Sequence, residues 1–276
     1  MAVLPPNYHE QMTLGPSERD RLAATFGHRG VAHAYQHRPP YPAEVFKILD
    51  ELIIDTPRDV LDLGAGEGAL ARPLARMVDH VDAVDISAAM IDAGRDRPGG
   101  RQPNLRWIVG AAQDAPLGGP YALATAGASM HWMPWPETLT RLAGVLTEHA
   151  YLAVVDHDAP APPWEEGLTQ IIIRYSRNPG YDPEFRLADG LTATGQFEIA
   201  GRATTAPVPF RQPVADYIEA LHSTSSLARE GMPAAESAEF DREVTDLVAP
   251  YAADGVLTMD ILAWLTWGRC QAGQPG

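Results

Sequence analysis

Asp59-Val60-Leu61-Asp62-Leu63-Gly64-Ala65-Gly66-Glu67-Gly68 is the stretch that decides the fold. Residues 59 to 63 read as a short buried strand, and the glycines that follow let the backbone turn sharply and approach a ligand with no Cβ in between. Ala69 to Val78 then reads as a helix, with Pro73 early enough that its missing amide costs little but late enough to distort the turn. This is a strand-loop-helix unit, and it repeats. Strands are expected at about 80 to 85, 104 to 109, 121 to 126 and 150 to 155, with helices near 87 to 97 and 136 to 147. Strands that alternate with helices pair in parallel through right-handed crossovers, so the expected fold is α/β, a doubly wound Rossmann-like, mostly parallel sheet.

Working outward from that unit, residues 1 to 20 are Pro-rich and aperiodic and read as a loose arm. Ser17 to about His37 is helical in pattern, broken by Gly27 and Gly30 and ended by Arg38-Pro39-Pro40-Tyr41-Pro42, and a second helix is expected over Ala43 to Leu52. Beyond Asp158 come a proline-rich link, an Ile-rich helical stretch, a polar region and a strand over Phe197 to Thr205. Helical patterns at Pro213 to Ser223 and Ala234 to Tyr251 precede a last apolar run, Ile261 to Trp267. The division that follows is an N-terminal arm and helical lid (1–42), a core (43–158), and remaining core strands with a helical cap insertion (159–276). No internal repeat or low-complexity tract interrupts it.

Acidic residues outnumber basic ones 36 to 21, for a net charge of -15, and no run of Lys or Arg stands out. That balance argues against a nucleic-acid partner, which is bound by neutralising phosphates with cations. A hydrophobic fraction of 45% with 24 Gly and 25 Pro describes an ordinary soluble globular chain. The single cysteine, Cys270, permits no intramolecular disulfide and too little sulfur for a thiolate metal site. The N-terminal MAVLPPNYHE lacks a basic, then apolar, leader pattern, and no apolar run reaches membrane-spanning length. A cytoplasmic monomer or homodimer acting on a small molecule, with no nucleic-acid or membrane partner, is the expectation. Lys47 is the only lysine, a bias that carries no functional weight.

Asp85 ends the second expected strand, where a carboxylate can accept hydrogen bonds from both hydroxyls of a ribose. Glycine loop and acid together describe a nucleoside site at the C-terminal ends of parallel strands. Gly64-Ala65-Gly66-Glu67-Gly68-Ala69 also satisfies the dinucleotide pattern. Three details lean away from it: the acid Asp62 two residues before the first glycine, the G-x-G-x-G spacing, and the long segment ahead of the first strand.

In these details the chain resembles the class I S-adenosylmethionine-dependent methyltransferases, over roughly residues 25 to 160. Val81-Asp82-Ala83-Val84-Asp85-Ile86-Ser87-Ala88-Ala89-Met90 resembles that family's second strand and helix, which implies Asp85 on the ribose and Ile86 and Met90 around adenine. Val109-Gly110-Ala111-Ala112-Gln113-Asp114 is similar to the stretch after strand three that reads the adenine edge, which implies Ala112 and Gln113. Ala111 and Gln113 replace the usual Asp and Glu there. The same likeness assigns Asp62, Gly64, Ala65, Gly66, Gly68 and Gly127 to the cofactor. Ser129-Met130-His131-Trp132 and Ala34-Tyr35-Gln36-His37-Arg38-Pro39-Pro40-Tyr41-Pro42 are similar to motifs of the trans-aconitate-methyltransferase-like branch, which acts on small molecules. That resemblance implies that Tyr35 and Arg38 close over the methionine end. Thr147-Glu148-His149-Ala150 departs from the family, lacking its proline and glycines.

Methyl transfer asks the protein chiefly for alignment, with a base for some acceptors. His131, just beyond a central strand, is the first candidate for that base, and a packing role beside Trp132 is its alternative. Asp156-His157-Asp158 could supply a base, a substrate contact or part of a divalent-metal site, with solvated loop residues as the alternative, and His33 and His37 share a helical face but lack a third ligand. No metal is expected. Trp132, His157, Trp164, Tyr175, Phe210, Tyr217 and His222 are candidates for the substrate pocket, with core packing as the alternative for the cap aromatics. The resulting expectation is methylation of a specialised metabolite. Three other readings stay open: a scaffold that holds S-adenosylmethionine for rearrangement or cyclisation, an NAD-dependent oxidoreductase, and a non-catalytic binding partner.

Overall fold

The computed structural model of the chain describes residues 16–178 and 187–272. Its helices are α1 (Pro16–Ala23), α2 (Arg29–Ala34), α3 (Ala43–Leu52), α4 (Ala71–Leu74), α5 (Ala88–Asp96), α6 (Trp135–Val145), α7 (Glu165–Tyr175), α8 (Leu187–Ala193), α9 (Val214–His222) and α10 (Ala234–Val248). Its strands are β1 (Asp59–Leu63), β2 (His80–Asp85), β3 (Leu105–Val109), β4 (Tyr121–Gly127), β5 (Leu146–Asp158), β6 (Phe197–Thr204), β7 (Val208–Pro213) and β8 (Val256–Cys270). They divide into two compact units. The described residues of 1–40, 158–183 and 207–262 form the first, and those of 41–157, 184–206 and 263–276 form the second. The N-terminal helices and the late helices, expected as separate lid and cap, therefore belong to one unit. Most of the expected arm lies outside the described residues.

The second unit carries the sheet, in the order β3-β2-β1-β4-β5-β8-β6. Pairs among β1 to β5 are parallel, and β6 pairs antiparallel with residues 264–270 of β8. The doubly wound reading holds, with an antiparallel pair at one edge. The order reverses between β1 and β4, the kind of switch point where open α/β sheets bind ligands beyond their strand ends. β1 is buried on both faces, as a central parallel strand must be. Val60 faces a core that includes Val45, Leu49 and Leu52 of α3, at helical spacing, while Leu61 and Leu63 face the opposite core with Leu139 and Leu142 of α6.

Buried acids interrupt these faces, and one of them is tied to the neighbouring strands by several donors. Asp82 of β2, 1% exposed, accepts hydrogen bonds from Arg106 Nε at 2.6 Å and from the Tyr121 hydroxyl, and meets His80 Nε2 at 2.9 Å. Burial pushes its carboxyl up, but these donors outweigh burial and hold it below the usual carboxylate range. Cys270 is inert by environment, its thiol pushed up to about 12 by burial.

Departures from the expected elements have local causes. The helix expected over Ala69 to Val78 is the single turn α4, because Pro73 offers no amide to the turn before it. The bonds beyond it shorten to one 3-10 step, Arg76 to Pro73 and Met77 to Leu74. The N-terminal helical pattern breaks at His28, in extended conformation, whereas Gly30 lies inside α2. β7, rich in proline, was not legible as a strand. It pairs antiparallel with residues 256–261 of β8, which starts from a turn with Asp254 and Gly255 at φ of 51° and 73°. In the first unit, α7 and α10 pack Trp164, Leu168, Ile171, Ile172 and Tyr175 against Phe240, Val244 and Val248. Among the described residues no helix is long and apolar enough to cross a membrane.

Candidate functional site

Gly64, Gly66 and Gly68 all adopt left-handed backbone, at φ of 61°, 56° and 80°. Space enforces the first and third as well: a Cβ on Gly64 would lie 2.5 Å from Ser129 Cβ, and one on Gly68 2.5 Å from Trp107 Cη2. The loop is tied to the end of β2 by Ala65 N, which donates to Val84 O at 2.9 Å, and by Gly66 N, which donates to Asp85 Oδ2 at 2.7 Å. The other carboxylate oxygen of Asp85 accepts from Ser87 N, also at 2.7 Å, and Ser87 in turn caps α5 through Met90 N. Burial pushes the Asp85 carboxyl up, against the pull of those two amides. Each carboxylate oxygen keeps a second lone pair, so tethering the loop and accepting from a ribose are compatible.

Asp62, which the motif assigns to the cofactor, is held beneath the loop by the neighbouring strand. It is 1% exposed, below the loop, and accepts from Thr125 Oγ1 of β4 at 2.7 Å. Burial pushes its carboxyl up to about 7, although Thr125 and the amide of Ala71 pull the other way, and the neighbouring Asp85 adds to the rise. Glu67, at the loop's outer side, is paired with Arg97 Nε at 2.9 Å and Arg72 at 3.6 Å, while Arg72 Nε donates to the Glu67 carbonyl. These contacts turn its charge toward the end of α5.

The parallel register sets Leu63, Val84, Val109, Gly127 and Val155 on the same edge of the sheet. There Ile86, which follows Asp85, and Val109, its cross-strand partner on β3, leave large aliphatic side chains 63% and 54% exposed, apolar surface suited to the face of a flat ring. Ala112 is buried and Gln113 half-buried, whereas Met90 is interior. Gly127 is glycine for want of space, since a Cβ would come 2.6 Å from the Tyr41 hydroxyl and 2.8 Å from Leu70. The Tyr41 ring lies 4.0 Å from that of His157, and the half-buried His131 and Trp132 rings are 4.9 Å apart on a 3-10 turn after β4.

The remaining expected residues belong to the first unit. Arg38 lies over the Tyr35 ring at 4.0 Å and donates to the Tyr35 hydroxyl, Ser223 Oγ and Ser223 O, all uncharged partners. Trp164 donates to the Tyr217 hydroxyl at 2.9 Å, and Tyr175 stacks edge-on with Phe240 and donates to Glu243. His222 is 2% exposed, set between Leu227 O at 2.6 Å and Asp241 Oδ1 at 2.7 Å, and Phe210 packs on the same core. Trp164, Tyr175 and His222 are thus interior residues of that unit. Ser87, Ser129 and Tyr41 stood inside quoted motifs without a role of their own, and Thr125 stood in an expected strand, its single hydroxyl carrying no periodic signal. Among the described residues no cluster of His, Cys, Asp and Glu is arranged to hold a metal ion.

Residues 60–149 match the family described as methyltransferase domain. Proteins of Mycobacterium tuberculosis named as uncharacterised methyltransferases are 32% identical over 116 residues and 33% over 141 residues, covering 41% and 50% of this chain. The chain spans little more than half the length of these relatives, 58% and 54%. A putative type II methyltransferase from Anaeromyxobacter dehalogenans superposes with a TM-score of 0.62 at 21% identity, covering 86% of this chain and 99% of that one. These likenesses do not single out the trans-aconitate-methyltransferase-like branch. The domain match, the sheet order and the tethered glycine loop identify residues 60–149 as a methyltransferase domain of the class I, S-adenosylmethionine-dependent kind.

Proposed function

We propose that the protein transfers a methyl group from S-adenosylmethionine to a small molecule, a specialised metabolite. The observation that carries this reading is the Asp85 carboxylate bonded to Gly66 N of the left-handed glycine loop, with Ile86 next in sequence and Val109 its cross-strand partner, both exposed. This arrangement fits a nucleoside: a close backbone approach at the glycines on one side, a carboxylate for the ribose hydroxyls, and aliphatic surface for adenine. When bound, S-adenosylmethionine would supply a methyl carbon made electrophilic by its sulfonium, open to in-line attack by the acceptor atom as the neutral thioether of S-adenosylhomocysteine leaves.

The chain's own residues have three tasks in this scheme. Asp85 and the loop fix the nucleoside. Trp132 offers an aromatic face to the positive sulfur. His131, on the turn that follows β4, takes the acceptor's proton through a ring nitrogen, a contribution of about 10²- to 10⁴-fold for a hydroxyl or activated carbon acceptor. The net charge of -15 supports a small molecule over a nucleic acid as acceptor. The test is incubation with S-adenosylmethionine and panels of phenols, alcohols, amines and activated carbon acids, read by mass. A product heavier by one methyl group, lost in His131→Ala while cofactor binding persists, is expected. Cofactor binding with no methylated product from any panel would remove the transfer reading.

A further inference from the structure

Ala128 is the residue of the second unit, among those described, that adopts left-handed backbone without being glycine, at φ of 48°. An L side chain avoids this region, and such outliers persist only where the surroundings fix them. Here the surroundings are plain. Ala128 N donates to Val155 O at 2.9 Å, and the turn it makes carries Ser129 sideways from β4 to β1. Ser129 is 6% exposed, its hydroxyl donates to Leu63 O at 2.6 Å, and its Cβ occupies the space a side chain on Gly64 would need. The residue before the glycine loop and the first residue within it are therefore both held by one serine from another strand.

We infer that Ser129 is a positioning residue for the amino-acid end of the cofactor, presented by the left-handed turn at Ala128. The inference rests on the proposed cofactor and follows from the strand order. Asp85, Ile86 and Val109 stand at the ends of β2 and β3 and take the nucleoside half, so the rest of the ligand extends over β1 and β4. At those ends stand Gly64 and Ser129. Ser129 shapes that half of the site by fixing the direction of the Leu63 carbonyl and the adjoining Gly64 peptide. The hydroxyl's one hydrogen is committed to Leu63 O, so its donor acts through the backbone.

The test compares two ligands by calorimetry: S-adenosylhomocysteine, and 5′-methylthioadenosine, which has the nucleoside and sulfur but no amino-acid group. Ser129→Ala is expected to weaken the first about tenfold, the equivalent of one lost hydrogen bond, and to leave the second within about twofold. Equal weakening of both would mean general loosening of the fold and overturn the inference, as would no weakening of either. Should Ser129→Ala not fold, Ser129→Cys, similar in shape but a poor donor, carries the same comparison. The turn is tested separately: Ala128→Gly, which accepts left-handed backbone, keeps wild-type affinity for S-adenosylhomocysteine, and Ala128→Val, which resists it, loses affinity. The opposite order would overturn the role of the turn. If the wild type binds neither ligand, the proposed cofactor is what fails. Amide exchange at Ala65 to Gly68 then decides the positioning, faster in the Ser129 variant if it holds and unchanged if it does not.

Discussion

Replacing Asp85 by alanine should unsettle the empty protein as well as its ligand binding. The carboxylate satisfies two backbone amides, Gly66 N and Ser87 N, each at 2.7 Å and both in a site where Asp85 is 9% exposed. A buried donor left without its partner costs about 1–3 kcal/mol, so the pair costs roughly 2–6 kcal/mol. Two effects reduce this. Burial disfavours the charge on Asp85, so its removal returns part of that penalty, and the cavity left by the side chain admits water to the amides. The expected net loss is about 2–4 kcal/mol, read by urea unfolding at pH 7 without ligand. A loss below about 0.5 kcal/mol would refute the tether, because two buried amides cannot both lose their acceptor so cheaply. The tether also means that lost ligand binding in this variant does not isolate the ribose contact. That contact is measured on the wild type, with S-adenosylhomocysteine lacking its 2′-hydroxyl. One hydrogen bond to a charged acceptor is worth about 1.5–3 kcal/mol, hence roughly 10- to 150-fold weaker binding of the deoxy ligand.

Other outcomes follow from the same geometry. The Asp62 carboxyl, pushed up to about 7 by burial, keeps its proton in the folded state between about pH 4 and 7, where the unfolded chain has released it, so stability falls as pH rises across that window. Asp62→Asn removes this dependence: its stability relative to wild type should be roughly 2–3 kcal/mol better at pH 8 than at pH 5, and parallel pH profiles in urea unfolding would contradict the buried acid. Gly68→Ala combines left-handed backbone with a Cβ 2.5 Å from the Trp107 ring, and should cost about 2–4 kcal/mol in thermal unfolding, where a loss under about 1 kcal/mol would show that the loop relaxes freely. Trp132→Leu should weaken S-adenosylmethionine about 2- to 30-fold more than the uncharged S-adenosylhomocysteine, and an unchanged ratio would remove the ring from the sulfonium.

Much of the sheet was legible because its signal is local. Asp59–Leu63 and His80–Asp85 matched the expected strands, since short apolar runs bounded by turn residues have few other solutions once helices alternate with them. The glycine loop and Asp85 were legible for the same reason, each standing where a strand ends. What failed to show depended on distant partners. Val208–Pro213 forms a strand only because residues 256–261 pair with it, and no propensity in a proline-rich hexamer announces that. The division into units was hidden because three separate stretches of chain make up each of them. Within the site, Asp62 read as a cofactor residue by its motif, yet the fold buries it against Thr125, 63 residues away in sequence. Ser129 stood inside a quoted motif, but its own role carried no signal, for that role is set by a turn angle at Ala128 that composition does not specify. Trp164, Tyr175 and His222 illustrate the converse: aromatic side chains at helical spacing serve packing and substrate alike, and only burial separates them.

The central claim is that the glycine loop tied to Asp85 binds S-adenosylmethionine. Calorimetric titration of the protein with S-adenosylmethionine, S-adenosylhomocysteine and NAD tests it most directly. The account predicts dissociation constants on the order of micromolar for the first two and none measurable for NAD. Binding of NAD with neither S-adenosyl ligand, or tighter binding of NAD than of both, would contradict it.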